Sequence, residues 1–465
     1  MRHFDLIIIG TGSGNSIIDE RFADWDVALV EKGIGPNDAY GGTCLNVGCI
    51  PTKMFVHTAD VAGSPASGAK LGVDLELRDV RWRDIRDRIF GRIDAISAGG
   101  RRYRAEDNPN VTLYEGVARF TGVKQLRVET AAGPEEINAD RVVVAAGGRP
   151  SIPDIPGLDQ VDYYTSDTVM RLDRLPSRMI IMGTGFVGAE FAHVFSSLGV
   201  EVTMIARSGR VLRGEDVDIS KRFTELAAGR WDLRLNRKEI AVERDGELVR
   251  LHLEGPEGAE VVSAEALLIA VGRVPNTDLL DAAAGGFELT ADGKIKADAT
   301  QLTSVDGVWA LGDISSDYEL KHVANHEMRV VQHNLLHPEE PIESDHRFVP
   351  HAVFSSPQIA SVGLTEQEAE RRGVNYVTST QDYAGIAYGW AMEDTTGFAK
   401  LLADPDTGQL LGAHIIGPQA PTLLQPLIQA MHFGLDARTM ACGQYWIHPG
   451  MPELVENALL NLPLK

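Results

Sequence analysis

Two of the three cysteines in this 465-residue chain lie five positions apart, at Cys44 and Cys49. In an ideal α-helix, residues at this spacing have Cα atoms roughly 8–9 Å apart, whereas a disulfide tolerates about 4.4–6.8 Å. A bridge between them would therefore need a bent or irregular first turn, which Gly48 permits. A strained pair near a helix start should be reducible, because the helix dipole favours the thiolate. The spacing thus indicates redox chemistry; two buried structural thiols, or half of a zinc site, are the alternatives.

A glycine-rich stretch near the start of the chain has the pattern of a dinucleotide-binding fingerprint. The apolar residues 4–9 predict a strand, and the glycines after them predict a tight turn that leads into a helix. A second strand is predicted at residues 26–30. It ends about twenty residues after the glycine turn, where the carboxylate of Glu31 would bind an adenosine ribose. Asn15 replaces the third glycine, so helix and strand should pack less closely there; a glycine turn in an ordinary α/β sheet is the alternative. The residues of this candidate site are Gly10, Gly12, Ser13, Gly14 and Glu31.

A second fingerprint follows the apolar residues 179–182 and has all three glycines, Gly183, Gly185 and Gly188. Two fingerprints in one chain imply two cofactors whose reactive rings can meet. After the next predicted strand, residues 200–206, an NAD site would usually have an acidic residue, but this chain has arginines. Arginine forks suit a ribose 2′-phosphate, which indicates NADPH rather than NADH; a basic surface turn is the alternative. The arginines are Arg207, Arg210 and Arg213.

Between the two fingerprints, four stretches predict regular structure. Residues 78–105 predict a long exposed helix, interrupted near Gly99 and its neighbouring glycine. Residues 111–120 and 125–130 predict strands of a small excursion, and residues 141–150 predict a buried strand that ends in a glycine turn.

The composition is globular and strongly acidic, with 44% hydrophobic residues, 24% charged residues and a formal net charge of −22. This charge argues against nucleic acid or an anionic membrane as a partner, and it requires local arginines to capture any anionic cofactor. No apolar run reaches the ~18 residues of a membrane span, and the first residues lack the form of a secretory signal. We therefore expect a cytoplasmic protein of two to four domains, in which a lone disulfide is more often catalytic than structural.

The cysteine segment, residues 41–53 with the sequence GGTCLNVGCIPTK, resembles the redox-active disulfide motif of the flavoprotein disulfide reductases. This is the family of glutathione reductase and lipoamide dehydrogenase, and the resemblance extends over essentially the whole chain. It implies an α/β fold with two Rossmann-like dinucleotide-binding domains and a C-terminal α+β interface domain. The implied domains are an FAD-binding domain in two parts, residues 1–150 and 277–347, an NADPH-binding domain, residues 151–276, and the interface domain, residues 348–465.

The resemblance implies FAD as the first cofactor, bound at the first fingerprint and at further positions of the family's motifs. Residues 307–313 match the second FAD segment of the family, in which Asp313 would hydrogen-bond the ribityl chain; a turn or N-cap aspartate is the alternative. Residues 320–327 would begin the helix under the isoalloxazine ring. The further implied FAD contacts are Gly42, Thr43, Lys53, Gly147, Asp313 and Ala324.

The resemblance implies NADPH as the second cofactor, with Arg207 and Arg213 on its phosphate and Arg210 left as a surface charge. Glu190 lies among apolar residues, where a carboxylate is costly to bury unless it is paired. The family pairs this residue with Lys53 beside the flavin N5; a position on the solvent side is the alternative. The remaining implied NADPH contacts are Phe186, which would act as a gate over the flavin, Gly272 and Arg273.

For the disulfide chemistry, the resemblance assigns Cys49 to the flavin side as a thiolate and Cys44 to attack on the substrate disulfide. His448 would serve as general acid and base, held by Glu453 at the start of a terminal helix. In the resembled enzymes this histidine reaches the cysteines across a homodimer. Cys442 matches no catalytic position and is predicted to be a small core residue. No cysteine follows it, which excludes mercuric reductases and large thioredoxin reductases.

The resemblance implies a small-molecule disulfide as substrate, and no metal is expected. Phrases such as IAYGWAMEDT, residues 386–395, resemble one branch of the family that acts on the disulfide of an inositol-glucosamine-linked cysteine thiol. None of these segments identifies a residue that would contact inositol or glucosamine. Glutathione reductase is the enzymatic alternative, and lipoamide dehydrogenase is disfavoured by the arginines. A redox-inactive flavoprotein binding module and a nicotinamide-binding transcriptional regulator are the non-enzymatic alternatives.

Overall fold

The computed structural model describes residues 1–465, and its first part is a mixed, mainly parallel sheet with helices packed against it. All five residues of the second strand are buried, as the uninterrupted apolar run predicts for a sheet covered on both faces. The elements of this part are β1 (Arg2–Ile9), β2 (Val27–Glu31), α1 (Gly42–Asn46), α2 (Cys49–Ala62), α3 (Ser64–Lys70), α4 (Trp82–Glu106), β3 (Val111–Gly122), β4 (Gln125–Thr130), β5 (Gly133–Val144) and β6 (Gly148–Pro150).

The second part repeats the strand, turn and helix pattern. Its parallel sheet has the order β13-β7-β8-β9, and an antiparallel meander, β10-β11-β12, packs beside it. The elements are β7 (Arg178–Met182), α5 (Phe186–Ser197), β8 (Glu201–Ala206), α6 (Val217–Ala228), β9 (Asp232–Leu235), β10 (Lys238–Asp245), β11 (Leu248–Gly255), β12 (Gly258–Ala264), β13 (Ala266–Ile269) and β14 (Arg273–Pro275).

The chain then returns to the first sheet. Strand β15 (Val308–Ala310) adds to β5 and completes the parallel order β3-β2-β1-β5-β15, and α7 (Lys321–Leu336) follows it. Strand β14 pairs with β6, which ties the two parts together where the chain crosses between them.

The last part is an antiparallel sheet, β16-β17-β20-β19-β18, with helices packed against it. Its core is continuous from the buried strand β19 to the terminal helix. The elements are β16 (His351–Val353), β17 (Ile359–Gly363), α8 (Glu366–Arg372), β18 (Val377–Asp382), α9 (Ala387–Ala391), β19 (Phe398–Ala403), β20 (Leu410–Ile416), α10 (Ala420–Phe433), α11 (Ala437–Cys442) and α12 (Glu453–Leu460).

Two predicted elements differ from the structure around one buried arginine. The helix predicted after the first fingerprint is replaced by two short 3₁₀ turns, Gly14–Ser16 and Glu20–Phe22. The guanidinium of Arg104 donates to the carbonyl oxygens of Asn15 at 2.6 Å and Ile18 at 3.0 Å, so these carbonyls are satisfied without a regular helix. Helix α4, which carries Arg104, runs without interruption through Gly99 and Gly100.

Candidate active site

One cavity of about 2060 Å³ joins the two glycine-rich loops to the cysteine segment. Ligand pockets for one small molecule usually measure about 300–1,000 Å³, so this cavity has room for more than one cofactor. The sequence-predicted residues that line it are Gly10, Gly12, Ser13, Glu31, Gly42, Thr43, Cys44, Cys49, Lys53, Gly147, Gly183, Gly185, Phe186, Glu190, Arg207, Arg213, Gly272, Arg273, Asp313 and Ala324.

The first glycine loop has a backbone that only glycine can provide. Gly10 has φ +101°, and a Cβ on it would lie 2.4 Å from the Ala145 carbonyl oxygen. A Cβ on Gly42 would lie 2.6 Å from the Cα of Gly12, whereas Gly12 itself has open space where a Cβ would stand. Gly14 does not line the cavity; it permits close packing, since a Cβ there would lie 2.7 Å from the Ala145 Cβ. The loop at Gly10 and Gly12 and the segment at Gly42 therefore form a cradle that fits the close approach of a pyrophosphate.

Glu31 lies at the carboxyl end of β2, where the fingerprint predicts it. Its carboxylate is buried and accepts hydrogen bonds from the Thr11 backbone N–H at 2.9 Å, the Thr11 hydroxyl and the Gly33 N–H at 2.7 Å. These donors hold the side chain at the cavity wall in the orientation that a ribose contact needs.

The second glycine loop has the same construction at the edge of the other parallel sheet. A Cβ on Gly183, which has φ +109°, would lie 2.1 Å from the Ala270 carbonyl oxygen. Gly188 stands behind the loop, outside the cavity lining, and a Cβ there would lie 2.3 Å from the Gly183 carbonyl oxygen. Phe186 begins α5, and its exposed side chain lines the cavity. In this position the side chain could cover the flavin ring, as the resemblance implies.

The three arginines after β8 have different surroundings. Arg207 donates through Nε to the buried carboxylate of Glu239 at 2.9 Å, which leaves its two terminal nitrogens directed elsewhere. Arg213 lines the cavity and has no carboxylate within 4.0 Å. Arg210 does not line the cavity. Glu239 was missed by the sequence analysis, because it lies on β10 and no local pattern connects it to Arg207.

The helical segment breaks between the two cysteines, as predicted. Helix α1 ends at Asn46 and α2 begins at Cys49, and a Cβ on the intervening Gly48 would lie 3.1 Å from the Thr43 carbonyl oxygen. Both cysteines are free thiols in the structure, which therefore represents the dithiol form.

The two thiols interact, and their pKa values move apart. A hydrogen bond from Cys49 lowers the pKa of Cys44, and the ammonium of Lys321 acts in the same direction. The same contact, together with desolvation, raises the pKa of Cys49. Of the two thiols, Cys44 is thus the one whose pKa is lowered, whereas the resemblance assigned the thiolate to Cys49. Lys321 was missed by the sequence analysis; it begins α7, lines the cavity and donates to the Ser13 hydroxyl at 2.8 Å.

The predicted Lys53–Glu190 pair is not in direct contact, because no nitrogen-oxygen distance between them is within 4.0 Å. The Glu190 carboxylate instead accepts a hydrogen bond from the Phe354 backbone N–H at 2.9 Å. The Lys53 ammonium lies over the Phe354 ring, 3.3 Å from its centroid. Both side chains line the cavity, which rules out the solvent-side alternative for Glu190. Both side chains thus contact Phe354 rather than each other, and burial raises the pKa of Glu190 to about 7.

The raised pKa of Glu190 gives a testable stability difference. The folded protein keeps this proton up to about pH 7, whereas an unfolded glutamate releases it near pH 4.5, so stability falls as the pH rises through this window. Glu190→Gln should therefore raise the thermal unfolding midpoint above pH 7, by the equivalent of at most about 3 kcal/mol. The gain should shrink below about pH 5. A gain independent of pH, or the same pH dependence in the exposed control Glu247→Gln, would contradict the assignment.

Asp313 and Arg273 meet at the boundary between the two predicted cofactor sites. Asp313 lies in a 3₁₀ turn whose N-cap is Leu311, so the N-cap alternative for this aspartate is wrong. Burial raises its pKa against the opposing charge of Arg273, which stands 3.6 Å away. Arg273, assigned to NADPH by the resemblance, thus contacts the residue assigned to the FAD ribityl chain. Ala324 lies beside this turn on α7.

His448 and Glu453 form a separate unit at the end of the chain. Their side chains are hydrogen-bonded through the histidine Nδ1, and the His448 side chain is 70% exposed. Neither residue lines the cavity, so a single chain does not bring His448 to the cysteines. Cys442 is exposed, and the prediction of a core residue is wrong. The short helix α11 buries Ala437, Met440 and Ala441, which leaves the next position on its outer face.

Residues 4–327 match the pyridine nucleotide-disulphide oxidoreductase family, and residues 349–459 match its dimerisation domain. The chain therefore belongs to the pyridine nucleotide-disulphide oxidoreductases. The mycothione reductase of Mycobacterium tuberculosis is 52% identical over 99% of this chain and 100% of its own. The dihydrolipoyl dehydrogenase of Haloferax volcanii is 32% identical over 98% of this chain and 96% of its own. The Cu(II) complex of the HOCl-induced flavoprotein disulfide reductase RclA from Escherichia coli superimposes with a TM-score of 0.86 at 28% identity, covering 99% of each chain.

Membership of this family confirms several predictions made from the sequence. The α/β fold class is confirmed, and the chain is a disulfide oxidoreductase whose cofactors are FAD and NADPH, which sets aside the non-enzymatic alternatives. The dimerisation domain supports the predicted homodimer, and the family supports a small-molecule disulfide as substrate. None of the helices has the length and apolar character needed to span a membrane.

Proposed function

We propose that this chain is an NADPH-dependent reductase of mycothione, the disulfide of mycothiol. The observation that carries the disulfide chemistry is a dithiol on the wall of one cavity that also reaches both glycine loops. The substrate rests on the mycothione reductase that is 52% identical over the whole length, and on four phrases that resemble that enzyme. These phrases are GTGSGN (residues 10–15), HVANHE (residues 322–327), IAYGWAMEDT (residues 386–395) and GQYWIHPGMPE (residues 443–453).

In the proposed reaction, the Cys44 thiolate attacks one sulfur of mycothione. The substrate S–S bond breaks, and the first mycothiol leaves with a proton from His448, which Glu453 holds through the other ring nitrogen. Cys49 then attacks the Cys44 sulfur of the mixed disulfide and its proton passes to the departing sulfur, so that the bond between Cys44 and the substrate sulfur breaks, the second mycothiol leaves as a thiol and a Cys44–Cys49 disulfide remains. The lowered pKa of Cys44 favours its role as attacking thiol, since only the thiolate is nucleophilic.

FAD, bound in this cavity, would supply the electron pair from NADPH that returns the disulfide to the dithiol. The residues proposed to hold FAD are the first glycine loop, Glu31 at the ribose, Asp313 at the ribityl chain and the start of α7. Lys53 and Glu190 would lie beside the reacting ring, each in contact with Phe354. The second glycine loop, Arg207 and Arg213 would hold NADPH by its phosphates.

The proposed domain organisation follows the boundaries inferred from the sequence. Residues 1–150 and 277–347 would bind FAD, residues 151–276 would bind NADPH, and residues 348–465 would form the dimer interface. The exposed His448, which does not line the cavity of its own chain, would enter the site of the second protomer. Each active site would then contain cysteines from one chain and the histidine from the other.

The test is steady-state NADPH oxidation by the purified holoenzyme with a single acceptor, either mycothione, oxidised glutathione or lipoamide. We expect a strong preference for mycothione in kcat/KM, lost in Cys44→Ser and kept in the control Cys442→Ser. Preferred turnover of glutathione disulfide or lipoamide would leave the disulfide chemistry in place but contradict the substrate. The absence of turnover with all three would contradict the activity as well.

A further inference from the structure

The segment between β8 and α6, residues 207–216, is here called the arginine loop. Leu212, the residue before Arg213, has φ +53°, a left-handed conformation that is unfavourable for a leucine. Its N–H donates to the Thr184 carbonyl oxygen of the second glycine loop at 2.8 Å, and its carbonyl accepts from the Glu215 N–H at 3.0 Å. A conformation of this kind persists only where the surroundings hold it, so the anchors of the loop decide where Arg213 points.

The first anchor is Glu215, which is buried against the C-terminal domain. Its carboxylate accepts hydrogen bonds from His351 Nε2 on β16 and from the Ser361 hydroxyl on β17, each at 2.8 Å. Its carbonyl oxygen accepts from the Gln367 side chain of α8 at 2.9 Å. Three elements of the C-terminal domain thus form hydrogen bonds with Glu215, which lies two positions after Arg213.

The second anchor is the neighbouring Asp216, whose side chain is fully buried. It accepts from the ammonium of Lys400 on β19 at 3.0 Å and from the Glu366 N–H at 3.0 Å. Lys400 is 2% exposed and also contacts the carboxylates of Asp218 at 2.6 Å and Glu366 at 2.5 Å. The pair of Lys400 and Asp216 is buried, and such a pair contributes little net stability against an apolar packing of the same volume, so fixing the position of the loop is the better account of it.

We propose that His351 and Lys400 of the C-terminal domain are positioning residues for nucleotide selectivity. Through Glu215 and Asp216 they hold the arginine loop so that Arg213 meets the 2′-phosphate of NADPH. This inference rests on the proposed function, in which Arg213 binds that phosphate. Because NADH has no 2′-phosphate, loosening the loop should weaken the binding of the phosphorylated nucleotide selectively.

The test measures the dissociation constants of NADP⁺ and NAD⁺ for the oxidised holoenzyme, since neither nucleotide reduces it. In His351→Ala, NADP⁺ should bind about tenfold more weakly, as for the loss of one charge-assisted contact, while NAD⁺ binding stays the same. Ser361→Ala, which removes the uncharged donor to Glu215, should give a smaller change in the same direction. The matched control is His432→Ala, a half-exposed histidine on α10, for which both constants should match the parent.

The double variant Arg213→Ala/His351→Ala decides whether the histidine acts through the arginine. If it does, His351→Ala adds no further loss once Arg213 is absent. Equal weakening of NADP⁺ and NAD⁺ in His351→Ala, or no change in either, would overturn the inference. If Arg213→Ala alone fails to separate the two nucleotides, the assignment of the phosphate site falls and the inference falls with it. If Arg213→Ala does separate them and His351→Ala does not, only the positioning role is wrong.

Discussion

Cys49→Ser is expected to trap a mixed disulfide between Cys44 and one half of the substrate, whereas Cys44→Ser should form none. In Cys49→Ser the attacking thiol keeps a neighbouring hydroxyl that can donate a hydrogen bond, and Lys321 remains in place, so the two main influences that lower the pKa of Cys44 are retained. The resolving thiol is missing, and the reaction stops after the first mycothiol leaves. In Cys44→Ser the Cys44 contact that raises the pKa of Cys49 is lost, but desolvation still raises that pKa, so the remaining thiol is expected to be the weaker nucleophile.

The measurement is intact mass after a single exposure of each reduced variant to mycothione. Cys49→Ser should gain the mass of one mycothiol and Cys44→Ser should keep its own mass, while NADPH-driven turnover should fall by at least ~10³-fold in both. Each variant is made in a Cys442→Ser background, because that exposed thiol is the one other site of modification in the chain. Mass gain on Cys44→Ser instead would reverse the roles of the two cysteines.

The parts of the site that sequence predicts are those in which short stretches determine their own geometry. The turn at Gly10 requires a positive φ and has a carbonyl oxygen where a side chain would be, so the residue type reports the conformation directly. The break before Cys49 follows in the same way from the spacing of the cysteines and the glycine between them. Glu31 lies at the end of its strand because the length of the unit fixes that distance.

The parts that sequence did not predict depend on contacts between distant segments. Lys53 and Glu190 both contact Phe354, and Arg207 donates to Glu239, although Phe354 and Glu239 are distant in the chain from the residues they contact. The helix expected after Gly14 is lost because Arg104, about ninety positions later, satisfies its carbonyl groups. Local sequence patterns carry no information about such distant partners. These partners nevertheless decide which charged groups remain free to contact a ligand.

Two inactive variants are expected to restore activity to each other if the active site is shared between protomers. In a heterodimer of Cys44→Ser and His448→Ala, one site combines both defects, and the other combines intact cysteines with an intact histidine. A purified heterodimer should therefore have about half of the wild-type turnover, while each parent homodimer is nearly inactive. The structure motivates this expectation because His448 is exposed and absent from the cavity wall of its own chain.

The experiment co-expresses the two variants with different affinity tags and isolates the dimer that carries both. A matched control pairs Cys44→Ser with Cys49→Ser, whose defects lie in the same cavity of each chain, so neither site is rebuilt by exchange. Activity confined to the first pair requires that Cys44 and His448 act from different chains. If the first heterodimer is as inactive as its parents, the histidine acts on the cysteines of its own chain, and the C-terminal segment must move to reach them.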